Sequence, residues 1–271
     1  MKESEVILKR QSTRLFFKNG DTDFFFNWLL GVGEIFGFSH GELYYLAQKL
    51  GKSPKPSAWK EVFLSHANYL AQKLSNPDLS EQTKAQYYLA QTYSIRSAIQ
   101  FINPFSEEYL PTVQQMENAF KDAIRSLKAP IEDLTIHYQK SYLPGYYLHN
   151  GDDCPTLIMI GGGDTYREDL FYFAGYPGWK RGYNVLMIDL PGQGSNPSRG
   201  LTFDVNAATP ISLCIDWLQN KNPKLNRLAI YGVSGGGYFT AQAVEQDVRI
   251  HAWIASTPIY DVAELFRKEF G

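Results

Sequence analysis

Hydrophobic positions along this chain follow two rhythms, and the change falls near Pro130. Ahead of it they recur at helical spacing. Ser39-His40-Gly41-Glu42 has the spacing of a capping box, in which Ser39 accepts from the N3 amide while Glu42 reaches back to the cap. A helix through Leu43–Leu50 follows. Trp59, Val62, Phe63, Ala67, Leu70 and Leu74 define a second. Ser80 is placed to cap a third, through Tyr87, Leu89, Ala90, Tyr93, Ile95 and Ala98, and a fourth follows Pro104 as far as about Leu127. No fixed period points to a solenoid.

After Pro130 the rhythm shortens. Leu134–Tyr138 alternates as a half-buried strand does, Tyr146–His149 resembles its partner, and Asn150–Asp153 reads as a turn. Four short apolar runs follow: Thr156–Ile160, Asn184–Ile188, Arg227–Tyr231 and Ala252–Ser256. Bounded by Gly, Asp and Pro, they fit strands buried on both faces of a parallel sheet. Helical segments lie between them near Glu168–Arg181, Val205–Gln219 and Gly236–Glu245. The expected organisation is a helical domain over 1–129 and an α/β core over 130–271, with a doubly wound, mostly parallel sheet.

Composition narrows the function. With 44% hydrophobic and 20% charged residues the chain is globular, and a net charge of −2 leaves no basic surplus for nucleic acid. Cys154 and Cys214 are in no ligand-like spacing, which argues against a disulfide framework or a zinc site and for a reducing compartment. Met1–Glu5 is polar and acidic, with no apolar stretch behind it to form a signal peptide. Phe24–Phe38 is too short, and too broken by Gly31, Gly33 and Glu34, to span a membrane. A cytoplasmic protein is expected.

The chemistry concentrates in Leu228-Ala229-Ile230-Tyr231-Gly232-Val233-Ser234-Gly235-Gly236, a G-x-S-x-G between a strand and a helix. A sharp turn there strains the serine backbone and raises its hydroxyl above the sheet edge. Gly232 and Gly236 let strand and helix crowd the turn, and the helix N-terminus offers amides to a developing oxyanion. The rival reading is a glycine-rich turn with a capping serine. A second loop, Gly161-Gly162-Gly163-Asp164, follows the Thr156–Ile160 strand. Gly235 is the expected first oxyanion donor and Gly163 the second, with Gly162 the alternative. Phosphate binding is the rival there, without a Walker lysine or G-x-G-x-x-G spacing to support it. Asp189-Leu190-Pro191-Gly192-Gln193-Gly194 reads as a scaffolding loop at the rim; Asp189 precedes Ser234, whereas the acid of such a triad follows the nucleophile.

From about Tyr142 to Asp261 these features resemble the α/β-hydrolase superfamily. Leu143-Pro144-Gly145-Tyr146, Gly161 through Asp169, and Asp189 through Gly194 resemble a narrower group. It includes dihydroxypseudooxynicotine hydrolase, the fungal pigment polyketide-shortening hydrolases and relatives of the fermentation–respiration switch protein. The resemblance implies a Ser-Asp-His hydrolase whose helical N-terminal domain caps the site, and which cleaves esters or C–C bonds next to ketones.

The chain departs from that pattern after Ser234. The order in this fold is serine, acid, histidine, yet only His251 follows, opening an apolar strand where a structural role is expected. His40, His66, His137 and His149 all precede the serine. Two more βα units, roughly 30 residues each, are needed to complete the sheet, so the core is expected to be incomplete at its C-terminal edge. A fragment of a longer protein is the favoured explanation; a complementing partner or a pseudo-enzyme are the others. Asp164, as a helix cap, and Glu168 and Asp169, in the first turn, have a helix-terminal reading. Asp164, Glu168 and Glu264 are also candidate substrate contacts, with Asp261 beside the last. Tyr87, Tyr88, Tyr93, Phe101 and Phe105 suit either core packing or a flat substrate. The expected partner is a small carbonyl compound, with no cofactor, metal, nucleic acid or membrane, and with a homodimer left open. A catalytically dead binding or signalling module is the alternative function; a serine peptidase is a third, against which the helical N-terminus speaks.

Overall fold

Both serine caps form. In the computed structural model, which describes residues 14–36, 38–259, 261–264 and 267, Ser39 Oγ accepts from the Glu42 amide at 3.2 Å and Glu42 Oε2 accepts from the Ser39 amide at 3.2 Å. Met1–Glu5, Gly37 and Glu269–Gly271 lie outside the described residues. The chain divides into two compact units, Met1–Lys128 and Ala129–Gly271.

The first unit is helical. α1 (Gly20–Phe36) precedes the four expected helices, α2 (His40–Leu50), α3 (Pro56–Leu74), α4 (Glu81–Ile99) and α5 (Tyr109–Leu127). The sequence pattern missed α1 because its apolar residues sit all round and two glycines interrupt them. Asp23, inside α1, accepts the amides of Leu15, Phe16 and Phe17 at 2.7–2.8 Å. Burial works against ionisation there, but these amides outweigh it and hold the carboxyl below its ordinary range. α4 buries almost every face over its second half, including Thr92, Ser94 and Ser97. Those hydroxyls are satisfied by carbonyls one turn back, at 2.6–2.8 Å. α5 begins at Tyr109, five residues after the Pro104 that was expected to introduce it.

The second unit is built on a six-stranded sheet in the order β1-β2-β4-β3-β5-β6. β1 (Ile131–Tyr138) and β2 (Ser141–Leu148) form an antiparallel hairpin, and β2 pairs antiparallel with β4 (Asn184–Ile188). β3 (Thr156–Ile160), β4, β5 (Leu228–Val233) and β6 (Ala252–Ser256) are mutually parallel. Crossovers run through α6 (Arg167–Leu170), a π turn at Phe171–Gly175 and α7 (Tyr176–Lys180), then α8 (Ala208–Lys221) and α9 (Gly235–Gln246). β3 and β4 are buried at every position, as continuous apolar strands should be. β6 is an edge strand among the described residues, as a sheet open at its C-terminal edge requires, and so is not buried on both faces, with Trp253 45% and Ile254 50% exposed. β2 starts five residues earlier than the Tyr146–His149 reading, with Pro144 and Gly145, residues that disfavour strands, inside it.

Register is what positions the site. Ile160 of β3 lies opposite both Ile188 of β4 and Gly232 of β5. The glycine loop, the loop from Asp189 and Ser234 therefore leave the sheet at one edge, the carboxyl ends of three adjacent strands.

Candidate active site

At the turn from β5 to α9, Ser234 has φ +53° and ψ −121°. This is a backbone region that residues with a Cβ occupy at a cost. The turn is held by Ser234 N donating to Ser256 O at 2.9 Å, and by Gly237 N donating to Ser234 O at 2.9 Å. The Ser234 side chain makes no capping bond to α9, so the geometry is not that of the capping-serine rival. The two flanking glycines are required by space. A Cβ on Gly232 would run into Gly236 O and Thr240 Oγ1, and one on Gly236 would lie 2.5 Å from Gly161 O.

The glycine loop crosses directly beside the serine. A Cβ on Gly162 would stand 3.0 Å from Ser234 Cβ and 3.3 Å from its Oγ. Gly163 N lies 3.6 Å from the point a Cβ on Gly235 would occupy, so Gly163 and Gly235 are neighbours. The Gly162 amide is already engaged, donating to Thr165 Oγ1 at 2.9 Å. Gln193, within the loop expected to be scaffold, and Asn196 just beyond it hold this arrangement. Gln193 Nε2 donates to Gly161 O at 2.5 Å and to Gly162 O at 3.0 Å, and Gln193 Oε1 accepts from Leu190 N at 2.8 Å. Asn196 Nδ2 donates to Asp189 O at 3.0 Å and Leu190 O at 2.8 Å. Sequence reasoning read this loop as scaffold but had no means of finding the partners.

The acidic candidates separate. Asp164 is exposed beside the loop and does not cap the following helix. Tyr166 is the N-cap instead, and its amide donates to Asp169 Oδ2 at 3.0 Å. Glu168 is 1% exposed. Its Oε1 accepts from the Tyr146 hydroxyl at 2.8 Å and lies 3.3 Å from Arg167 Nε. Arg167, itself buried, also approaches Asp189 Oδ2 at 3.7 Å and stacks its guanidinium 4.6 Å from the Tyr146 ring centre. Glu168 and Asp189 thus belong to a buried charge network with Arg167 and Tyr146. Burial pushes the neighbouring Tyr172 phenol well up, with Asp169 and Glu168 adding to it. Glu264 is half-buried, its amide donating to Asp261 Oδ1 at 2.7 Å. In the helical unit, Tyr93 is buried and Phe105 is 75% exposed.

None of the second unit's histidines lies near Ser234. His251 pairs with Leu228, its amide donating to Leu228 O at 2.8 Å. That is the opposite end of β5, roughly 20 Å from the serine at the usual rise per residue. His149 is beyond the last residue of β2, facing the start of β4, and its ring is 3.3 Å from Asp152. His137 is on β1, four strand spacings from β5, or roughly 19 Å. Among the described residues no His, Cys, Asp and Glu cluster is placed to hold a metal ion, and no helix is long and apolar enough to cross a membrane.

No protein-family model matches the chain. Hydrolyase ccsE of Aspergillus clavatus is 29% identical over 239 residues, covering 78% of this chain and 54% of that protein. 20-hydroxy-prefusarin hydrolase FUS2 of Gibberella moniliformis is 27% identical over 265 residues, covering 90% and 62%. Of solved structures, the 2,6-dihydroxy-pseudo-oxynicotine hydrolase superposes with a TM-score of 0.63 at 19% identity, covering 81% of this chain and 62% of that one. AbyA5 gives 0.63 at 16% identity, covering 86% and 62%. The chain thus spans little more than half the length of the curated relatives it matches. Sheet order, strand-turn-helix geometry and these superpositions show an α/β-hydrolase fold. In sequence the chain is similar to these curated hydrolases.

Proposed function

We propose that this chain carries the nucleophile and oxyanion half of a serine hydrolase acting on an ester or on a C–C bond next to a ketone. Ser234 Oγ adds to the substrate carbonyl carbon, giving its proton to a base, and the oxygen that becomes negative accepts from the Gly235 and Gly163 amides. Collapse expels the alkoxide or stabilised carbanion, which takes up the proton, and leaves an acyl-serine that water hydrolyses. The observation that carries this reading is the Ser234 backbone at φ +53°, a strained turn beside two glycine amides. The engagement of the Gly162 amide by Thr165 favours Gly163 as the second donor. Names such as 20-hydroxy-prefusarin hydrolase among the relatives favour a small carbonyl substrate.

The base and acid, on this reading, come from residues outside this sequence. A serine site lacking a triad member keeps about 10³–10⁴-fold catalysis over water, so these 271 residues alone are expected to be nearly inactive. The test is pre-steady-state hydrolysis of p-nitrophenyl acetate by the complete protein its gene encodes. A nitrophenolate burst of about one equivalent that disappears in Ser234→Ala is expected. A burst of the same size in that variant would remove Ser234 from the mechanism, and no burst in the wild type would leave the binding-module alternative standing.

A further inference from the structure

Gln193 reaches both rims of the site. Its amide bonds to the glycine loop 31 and 32 residues away, and it is 1% exposed. We propose that Gln193 is the positioning residue of the oxyanion site, fixing the Gly162–Gly163 peptide so that the Gly163 amide faces the nucleophile. The proposal rests on the serine-hydrolase reading above and deepens it.

The argument starts from the peptide plane. In a trans peptide the C=O of one residue and the N–H of the next point in opposite directions. Gln193 Nε2 holds Gly162 O at 3.0 Å, so the Gly163 N–H of that same plane is turned away from Gln193. Gly235 is beside that amide, with Gly163 N 3.6 Å from the point a Cβ on Gly235 would occupy. The preceding plane is pinned at both ends. Gly161 O accepts from Gln193 at 2.5 Å and Gly162 N donates to Thr165 Oγ1 at 2.9 Å. A loop of three glycines has little orientation of its own; here two side chains supply it.

Residue type matters at 193. The site presents two carbonyl acceptors and one amide donor, Leu190 N. A neutral side-chain amide satisfies all three in one orientation, with its nitrogen toward the carbonyls and its oxygen toward Leu190. A carboxylate serves only the Leu190 amide. The backbone is shaped to deliver this side chain. Leu190-Pro191-Gly192-Gln193 is a turn closed by Gln193 N donating to Leu190 O at 2.9 Å, with Gly192 at φ +88°, as a type II turn requires. Gly194, at φ +53°, follows, where a Cβ would strike the Asp189 carboxylate.

The test compares Gln193→Glu and Gln193→Met with wild type in the complete protein, using a fluorophosphonate probe and p-nitrophenyl esters. Labelling forms the Ser234 Oγ–P bond and breaks P–F; fluoride leaves and the serine proton passes to the base. Thermal melts identify the variants that fold. The glutamate variant keeps the Leu190 bond and is the one to use should the methionine variant not fold. In folded variants, labelling at Ser234 is expected to slow about 10–100-fold, with kcat falling and KM little changed. The glutamate deficit relative to wild type should shrink as pH falls, since the protonated carboxyl can donate to one carbonyl, whereas the methionine deficit should not. A folded variant that labels and turns over at the wild-type rate, or that changes KM alone, overturns the proposal. Failure of wild type to label at Ser234 would instead remove the hydrolase reading on which the proposal stands.

Discussion

Ser234 sits at φ +53° and ψ −121°, a conformation that costs a residue with a Cβ about 1–3 kcal/mol. Relieving it has a measurable sign. Ser234→Gly should raise stability by about 1 kcal/mol, the strain released less the extra freedom glycine gains in the unfolded chain, while abolishing burst hydrolysis. A urea melt showing the variant less stable than wild type would mean the turn is not strained. Gly232→Ala should do the reverse, because its Cβ meets Gly236 O and Thr240 Oγ1; overpacking of this kind costs about 1–3 kcal/mol, read as a lower melting temperature. Both effects were legible in the sequence, since strain at a serine turn is written as glycines two residues either side. Gln193 was not. Its role depends on carbonyls 31 and 32 residues away, and nothing local to a Pro-Gly-Gln-Gly turn announces them. Asp164 was misplaced as a cap for a related reason: the helix begins later, and Tyr166 rather than an acid or hydroxyl residue takes the cap.

At the scale of elements, strands were read best where they are short, apolar and bounded by breakers. β3, β4 and β6 came out with their ends correct; β6 has the same apolar composition as the buried strands but is exposed, because the sheet is open on that side among the described residues. The start of β2 and the whole of α1 were hidden by Pro and Gly inside regular structure. One element end carries a pH signature. At the C-terminus of α9, Arg249 hydrogen-bonds Asp247, which Ser212 Oγ also reaches at 2.9 Å. The arginine first, then Ser212, hold the Asp247 carboxyl down to about 2 against the cost of its burial. Because the folded value is depressed, this contribution is full above the unfolded carboxylate pKa near 4 and is lost as pH falls toward 2. It amounts to roughly 2 kcal/mol. Urea unfolding at pH 5, 3 and 2 should show a loss of stability over that window that is smaller in Asp247→Asn; equal slopes in the two proteins would remove Asp247 as its source. Ser80, whose hydroxyl accepts from Thr83 N at 3.1 Å, should cost about 1 kcal/mol when changed to Ala, seen as a lower melting temperature.

Over the whole molecule, the change of rhythm near Pro130 coincides with a division into two compact units, Met1–Lys128 and Ala129–Gly271. Each has its own core, so residues 1–128 expressed alone should give a helical circular-dichroism spectrum with a cooperative melt; a featureless transition would show that the helical unit depends on the rest. The placement of His137, His149 and His251 away from Ser234, and coverage of 54% and 62% of the length of ccsE and FUS2, support the proposal that the base and acid come from residues outside this sequence. The central claim is that Ser234 is the nucleophile, and peptide mass spectrometry of the complete protein after fluorophosphonate treatment tests it most directly. The account predicts a single phosphonyl adduct, on the peptide containing Gly232-Val233-Ser234-Gly235-Gly236, that heat denaturation beforehand abolishes. An unmodified Ser234, or an adduct confined to another residue, would contradict it.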